Sequence, residues 1–565
     1  MDNAGRRVRL HNRERLDPDL DRNLRALEKH RIVARIWDRD WTVWKGVDKE
    51  ISDRLGWLAS PATAEDEAPE LEAFASSLRS EGLTRAVVLG MGGSSLAPDV
   101  FARLFATGPD FLELEVIDTT EPGTVAAAGT RLDLEKTLFL VSSKSGTTAE
   151  LLALLSFFYD LARRRLGDGR AGGHFVAVTD PGTPLEALAV SLGFRRTFLG
   201  RPAIGGRFSA LSAFGLLPAA LKGIDLRRLL APARTMANEC RADQSADNPA
   251  AYLGAILGTA ALKGLDKLTF LVPPRLGPLA GWLEQLIAES TGKEGRGILP
   301  VIEHRPGPAG PCGKDRLFVE LGAPDEPAHG PGVREPVGAG RPFIRISLED
   351  LHGLAGHFFL WEFATAVAAH LMEINPFDQP DVESTKKKTR EVLASQGRSA
   401  VPSQPPPAED GLRVVRPGPP ESPADALARF IGGAREGDYI AVLGFLPKNA
   451  ETEGLLAGLA DRLRLVTRLP VTIGFGPRYL HSTGQLHKGD GNKGLFLMLT
   501  EADMLQLPIP AVPGIPRPAE NFADLFRAQA RGDGMALAER GRRVLALDLS
   551  APVGTGLRTL TALLS

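Results

Sequence analysis

The chain has 565 residues, more than one hydrophobic core usually supports, so two or more packed units are expected. Lys plus Arg number 67 against 69 for Asp plus Glu; this balance sets up no broad field for nucleic acid or an anionic membrane, so neither is expected as a partner and any anion site must be local. Two cysteines, Cys240 and Cys312, fit reduced thiols better than a disulfide framework, and the Arg- and Asp-rich start shows no secretory apolar core, so a cytoplasmic protein is expected.

Residues 1–80 read as a helical, amphipathic extension in which Trp37, Trp41, Trp44 and Trp57 are spaced as core contacts. From Arg85 the pattern alternates, with strands near 86–90, 112–118, 137–142 and 175–180 separated by helical stretches, which predicts an α/β domain over 81–231 built on a doubly wound parallel sheet. A second such domain is expected over 232–565, opening with strands at 267–272 and 298–302 around a helix at 279–290. Pro/Gly-rich insertions at 305–341 and 396–423 read as surface loops or linkers, because such composition buries too little apolar area to order itself. The strand and helix pattern resumes at 439–445, 471–475, 495–499 and 544–547, and these strands are expected to complete the second sheet rather than form a third domain. The apolar stretch 356–374 is interrupted by His357, Glu362, His370 and Glu373, so it reads as a buried helix, not a membrane span.

Five segments carry chemistry. The turn Gly90-Met-Gly-Gly-Ser-Ser95 follows a strand and lets backbone amides approach a ligand, with Gly93 and Ser94 as contacts; Ser95 stands where a dinucleotide fingerprint wants its third glycine. Ser142-Ser-Lys-Ser-Gly-Thr-Thr-Ala-Glu150 lies between a strand and a helix, and helix N-terminal amides together with Ser143, Lys144, Ser145 and Thr148 exceed what capping requires, which points to a phosphorylated small molecule. Gly205-Gly-Arg-Phe-Ser209 presents Arg207 from a turn. Its planar fork suits a phosphate or an enediolate oxygen. On the 279–290 helix, Gln285 and Glu289 share a face by their spacing of four; in a partly dry setting a carboxyl is driven towards a base working near neutral pH, although a glutamate near a helix end is commonly just solvated. The last constellation pairs Asn375-Pro-Phe-Asp-Gln-Pro380, with Gln379 and the following Lys386, with Arg478-Tyr-Leu-His-Ser-Thr-Gly-Gln-Leu-His487. His481 can shuttle a proton at neutral pH, and no metal-ligand spacing surrounds it.

Taken together, Gly-x-Gly-Gly-Ser, Ser-Lys-Ser-Gly-Thr-Thr, Gly-Gly-Arg-Phe-Ser, Gln-x-x-x-Glu-Ser-x-Gly-Lys and Asn-Pro-Phe-Asp-Gln-Pro-x-Val-Glu resemble the glucose-6-phosphate isomerase (phosphoglucose isomerase) family from about Ala34 to the C-terminus. Ala34-Arg-Ile-Trp37 and Glu289-Ser-Thr-Gly-Lys-Glu-Gly-Arg-Gly-Ile-Leu-Pro300 look most like the isomerase half of bacterial transaldolase/isomerase fusions, with no transaldolase portion read ahead of them. The resemblance implies two sugar-isomerase domains, reversible conversion of glucose 6-phosphate and fructose 6-phosphate through a cis-enediolate in glycolysis and gluconeogenesis, no cofactor or metal, and a homodimer completing its site across the interface. It implies Glu289 as the carbon base, His481 opening the ring with Lys386 assisting at the ring oxygen, and Arg207 steadying the enediolate. Gly93, Ser94, Ser143, Lys144, Ser145, Thr148, Gln285 and Gln379 would then hold phosphate and sugar. A joint phosphoglucose/phosphomannose isomerase and a non-catalytic sugar-phosphate sensor are the alternatives, whereas an amidotransferase-linked synthase lacks its N-terminal cysteine. In the family the histidine segment precedes the Phe-Asp-Gln motif, but His481 follows Phe377-Asp-Gln379 here. A rearranged chain order in the second domain is therefore expected, with His304 or His352 as substitutes if His481 is not the residue.

Overall fold

A computed structural model describes residues 7–303, 313–322, 340–396, 411–415, 421–550 and 552–564. Three five-stranded sheets organise these residues. In the first, the strands Glu113–Ile117, Arg85–Gly90, Thr137–Ser142, Phe175–Thr179 and Arg196–Leu199 lie side by side in that order, all parallel. Every residue of Thr137–Ser142 is buried, as a central strand covered by helices on both faces requires. Chain order along this sheet reverses between Arg85–Gly90 and Thr137–Ser142, and ligands of open α/β sheets bind beyond the carboxyl ends of such a pair.

The second sheet runs Val8–His11, Phe343–Ser347, Arg316–Gly322, Lys267–Leu271, Leu299–Glu303, with only Val8–His11 antiparallel. The extension over 1–80 is thus not purely helical, since its first described strand closes an edge of this sheet. Trp57 is fully buried, and Trp44 donates from Nε1 to Ala366 O at 2.8 Å, so the tryptophans are core contacts. The span 305–341 is more than an insertion, because the apolar run Arg316–Gly322 inside it is a buried inner strand. The helix Leu354–Leu371 is buried along nearly its whole length, and among the described residues no helix is long and apolar enough to cross a membrane.

The C-terminal strands correct one expectation. Leu412–Val414, Arg543–Leu549, Gly494–Glu501, Tyr439–Phe445 and Val471–Phe475 form a third sheet of their own instead of completing the second. The second sheet already satisfies its inner strands with five members, and the four parallel C-terminal strands recruit Leu412–Val414, from within the Pro-rich 396–423 span, as an antiparallel edge. Both later sheets repeat the first one's winding, with the second parallel strand on one side of the first and the third and fourth on the other. One face of the third sheet packs Tyr439, Phe445 and Phe496 against Ala288, Leu299 and Val301 of the second unit. Ile509, Val512 and Phe522 join the core beneath the first unit's helix Ala149–Leu166.

Candidate active site

The Gly90 and Ser142 turns leave the first sheet at adjacent carboxyl ends, since Gly90 pairs with Ser142 in register. Ser143 and Thr148 hydroxyls lie 3.3 Å apart, Gly146 N donates to Ser143 Oγ at 3.1 Å, and Ser145 Oγ accepts from Thr147. Thr148 is the N-cap of Ala149–Leu166, yet its side chain makes no capping bond. The hydroxyls of Ser143 with Thr148, and of Ser145 with Thr147, thus pair off at the helix start in a hydroxyl ring of two halves, where amide dipoles favour an anion. Lys144 Nζ donates to Asp180 Oδ1 at 2.7 Å and to Arg201 O at 3.1 Å.

The Gly90 turn is wedged between the other motifs. A β-carbon on Gly92, whose φ is +54°, would meet Gln285 Nε2 at 2.9 Å and the His481 Cβ at 3.1 Å; one on Gly93 would sit 2.0 Å from Gly206 O, beside Arg207. Absent side chains thus allow the first unit to touch the glutamate helix, the arginine turn and the histidine segment together. Ser94 is buried in the same turn.

Arg207 is the hub. Its Nη1 donates to Glu289 Oε1 at 3.1 Å and to Gln379 Oε1 at 2.8 Å, its Nε to Ser290 Oγ at 2.8 Å, and its Nη2 to the carbonyls of Pro376 and Asp378. Burial pulls the guanidinium below its ordinary pKa, with the Glu289 and Asp378 carboxylates opposing. Glu289 lies near the end of the helix Gly277–Thr291 and is 9% exposed. Gln285, one turn earlier, donates from Nε2 to Glu289 Oε2 at 3.0 Å and to His481 O at 2.8 Å, while its buried Oε1 has no partner among the described residues. Behind this row Lys293 donates to Asp378 Oδ1 at 2.8 Å, and burial, aided by Arg207, pulls its pKa down to about 8.

His481 sits in the short turn Arg478–His481 after the third sheet's edge strand, with Nε2 2.9 Å from Glu150 Oε1. Glu150 was not singled out from the sequence, although it ends the Ser142–Glu150 segment and occupies the first turn of Ala149–Leu166. Burial would raise its carboxyl, but the His481 imidazole and then Lys386 hold it below the usual carboxylate range. Gln529 Nε2 donates to the same Glu150 oxygen at 2.7 Å. Lys386 is half exposed on the helix Pro380–Gln396 and donates to Glu383 Oε1 at 2.8 Å. Of the two substitutes, His352 stacks edge-on against Phe105 at 5.5 Å, and His304 lies outside the described residues. The third sheet, rather than the second, carries the histidine to Gln285 and Glu150.

A separate cleft of about 760 Å³, lined by Arg15, Lys263, Lys314, Arg435 and Arg468 among others, opens at the amino ends of strands in the second and third sheets. Ligand sites of such sheets lie at the opposite end.

The phosphoglucose isomerase family model matches residues 76–307, a span that holds both glycine turns, the hydroxyl ring, Gln285 and Glu289. The glucose-6-phosphate isomerase of Carboxydothermus hydrogenoformans is 31% identical over 411 residues, which cover 62% of this chain and 87% of that protein. That of Rubrobacter xylanophilus is 30% identical over 405 residues, covering 62% and 91%. A crystal structure of a hypothetical protein from Thermus thermophilus superposes with a TM-score of 0.56 at 27% identity, covering 68% of this chain and 100% of the other. A glucose-6-phosphate isomerase from Chlamydia trachomatis shares the fold with a TM-score of 0.56 at 18% identity, covering 68% and 87%. Spanning nearly the whole of two such isomerases at this identity, the chain belongs to the glucose-6-phosphate isomerase family.

Proposed function

We propose that the chain interconverts glucose 6-phosphate and fructose 6-phosphate with Glu289 as the carbon base and His481 as the ring-opening group. The observation that carries the reading is the unbroken row Gln379–Arg207–Glu289–Gln285–His481, in which each member bonds the next and the hydroxyl ring stands at the neighbouring strand end. Phosphate brings about 1.5 to 2 negative charges to the ring of Ser143, Ser145 and Thr148, so the sugar is anchored remote from its reacting carbons and that binding orients C1 and C2.

His481, with Glu150 at its Nε2, passes a proton between the anomeric hydroxyl and the ring oxygen, and Lys386 assists at that oxygen after leaving Glu383. In the open aldose, Glu289 removes the proton from C2, and the electron pair forms the C1–C2 double bond of a cis-enediolate. Arg207 faces the negative oxygen; oriented donors of this kind are worth roughly 3 kcal/mol at a developing oxyanion. Glu289 then returns its proton to C1 while the hydroxyl proton moves from O2 to O1, so the step is balanced with no net proton uptake. Gln285 Oε1, buried without a protein partner among the described residues, suits a sugar hydroxyl as donor.

We further infer a cytoplasmic homodimer without nucleic-acid or membrane partners, most similar in wording to the isomerase half of transaldolase fusions. The Glu289→Gln variant tests the base: turnover of fructose 6-phosphate is expected to fall by about a thousandfold or more while its binding persists. Turnover at the wild-type rate would refute the assignment.

A further inference from the structure

We infer that Gln529, with Thr120 behind it, is a positioning residue for the proposed reaction: its amide holds the Glu150 carboxylate in register with His481. The inference rests on the role proposed above for that histidine.

Three buried side chains from two units make the link. Thr120 Oγ1 donates to Gln529 Oε1 at 2.9 Å, Gln529 Nε2 donates to Glu150 Oε1 at 2.7 Å, and the same carboxylate oxygen faces His481 Nε2 at 2.9 Å. Chemistry fixes the direction of these bonds. An ionised carboxylate only accepts, so the amide must turn its NH2 to Glu150, and its carbonyl oxygen is left for the Thr120 hydroxyl. By the same argument neutral His481 carries its hydrogen on Nε2 and keeps its lone pair on Nδ1, where a sugar hydroxyl can give up a proton. Gln529 therefore secures the carboxylate that selects the working tautomer.

Secondary structure holds both ends. Thr120 precedes Glu121, the N-cap residue whose carboxylate accepts from Gly123 N at 2.7 Å and Thr124 N at 2.6 Å at the start of the helix Pro122–Arg131. Gln529 lies on Phe522–Glu539, where Phe522, Leu525, Gln529 and Asp533 fall on one face by their spacing of three and four. Phe522 and Leu525 enter the first unit's core, Phe522 edge-on to Phe157 at 5.8 Å. One turn beyond Gln529, Asp533 Oδ2 accepts from the hydroxyl of Tyr479, two residues before His481, at 2.7 Å, and its Oδ1 accepts from Lys488 Nζ at 2.7 Å. A single helical face thus grips the carboxylate on one turn and the histidine segment on the next, which sets their separation. Gln529 and His481 belong to the same unit, so the arrangement is the same whichever molecule of an assembly that unit comes from.

From the elements packed around Glu150, the charged or titratable groups acting on it are the His481 imidazole and Lys386 of the helix Pro380–Gln396. Gln529 adds a neutral donor that is present at every pH. Full-length wild type, Gln529→Leu, His481→Asn and the double variant, each checked for melting temperature, are compared in turnover of fructose 6-phosphate across the pH range. Gln529→Leu is expected to lower kcat about tenfold with KM little changed, and to move the acid limb of the profile up by about one pH unit, because a buried carboxylate with one donor fewer takes up its proton more readily. On the His481→Asn background the same substitution should cost nothing further, since it acts through that imidazole. Losses that multiply, a fall in kcat with an unshifted acid limb, or wild-type kinetics for Gln529→Leu would each overturn the inference. Should Gln529→Leu not fold, the position behind it decides: Thr120→Val, which lacks the hydroxyl, should lose about threefold in kcat while Thr120→Ser matches wild type, and equal effects of the two overturn the inference. His481→Asn as active as wild type would refute the histidine's proposed role and this inference with it, an outcome read without any change at position 529.

Discussion

The first and third sheet units begin with the same winding, yet they deliver their site residues differently. In the first, the Gly90 and Ser142 turns emerge at the carboxyl ends of two neighbouring central strands, so topology alone brings them together. In the third, His481 follows the edge strand Val471–Phe475, and its position is set by side chains reaching into other units, above all Arg478 to Asp99 and Asp118. A turn at a sheet's switch point is a local product of the chain, whereas the histidine depends on long-range pairing, and the two should fail in different ways.

Among changes to the scaffold of the two regions, the largest effect is expected from Gly93→Ala, because a β-carbon 2.0 Å from Gly206 O forces the glycine turn off the arginine turn. A loss of roughly a hundredfold in kcat/KM, with a lower Tm, is expected, since displacing reacting groups by about 1 Å costs that much. Wild-type kinetics for this variant would break the claim that close backbone packing builds the first-unit half of the site.

Arg478→Met comes next. It leaves two partly buried carboxylates without their cation and frees the His481 segment, so kcat should fall by about tenfold or more with KM for fructose 6-phosphate little changed. Should KM rise and kcat stay constant, Arg478 serves binding and not the placement of the histidine. Thr148→Val is smaller and opposite in kind: loss of one hydroxyl from the proposed phosphate site, worth about 1 kcal/mol, should raise KM roughly fivefold at nearly constant kcat.

The smallest effect is a control outside both regions. Glu362 is wholly buried in the helix Leu354–Leu371, neither carboxyl oxygen has a partner among the described residues, and burial pushes its pKa well above the ordinary 4.5. A raised carboxyl contributes stability below its unfolded pKa, and this is lost as pH climbs towards the folded value. Glu362→Gln should therefore gain stability over wild type between about pH 5 and pH 8, by at most about 1.4 kcal/mol per pH unit, with activity unchanged. Denaturation curves at the two pH values check this; a pH-independent difference would show that Glu362 is ionised in the fold.

Legibility in the sequence divides along the same line. Strand-turn-helix boundaries around Gly90 and Ser142 were readable because turn chemistry and apolar runs are local, whereas Arg207, Gln285 and Glu289 stood out only through the family resemblance, since a Gly-Gly-Arg turn is ordinary and a glutamate near a helix end is commonly solvated. The third sheet was not readable as such. Its edge strand Leu412–Val414 is three residues inside a Pro-rich stretch, and strand partners are chosen by tertiary pairing, which periodicity does not encode. Glu150 lay in plain view as a first-turn acid, but its contact with a histidine 331 positions away has no local signal. A lysine among serines reads as an anion ligand in the sequence, and only the fold shows that Lys144 is paired with Asp180.

A crystal structure of Glu289→Gln with fructose 6-phosphate bound is the most direct test of the account. The phosphate is expected among Ser143, Ser145 and Thr148, with C1 and C2 beside residue 289 and the ring oxygen within reach of His481. A sugar phosphate seated instead in the basic cleft of Arg15, Lys263 and Arg468, or a ring oxygen out of reach of any His481, would contradict it.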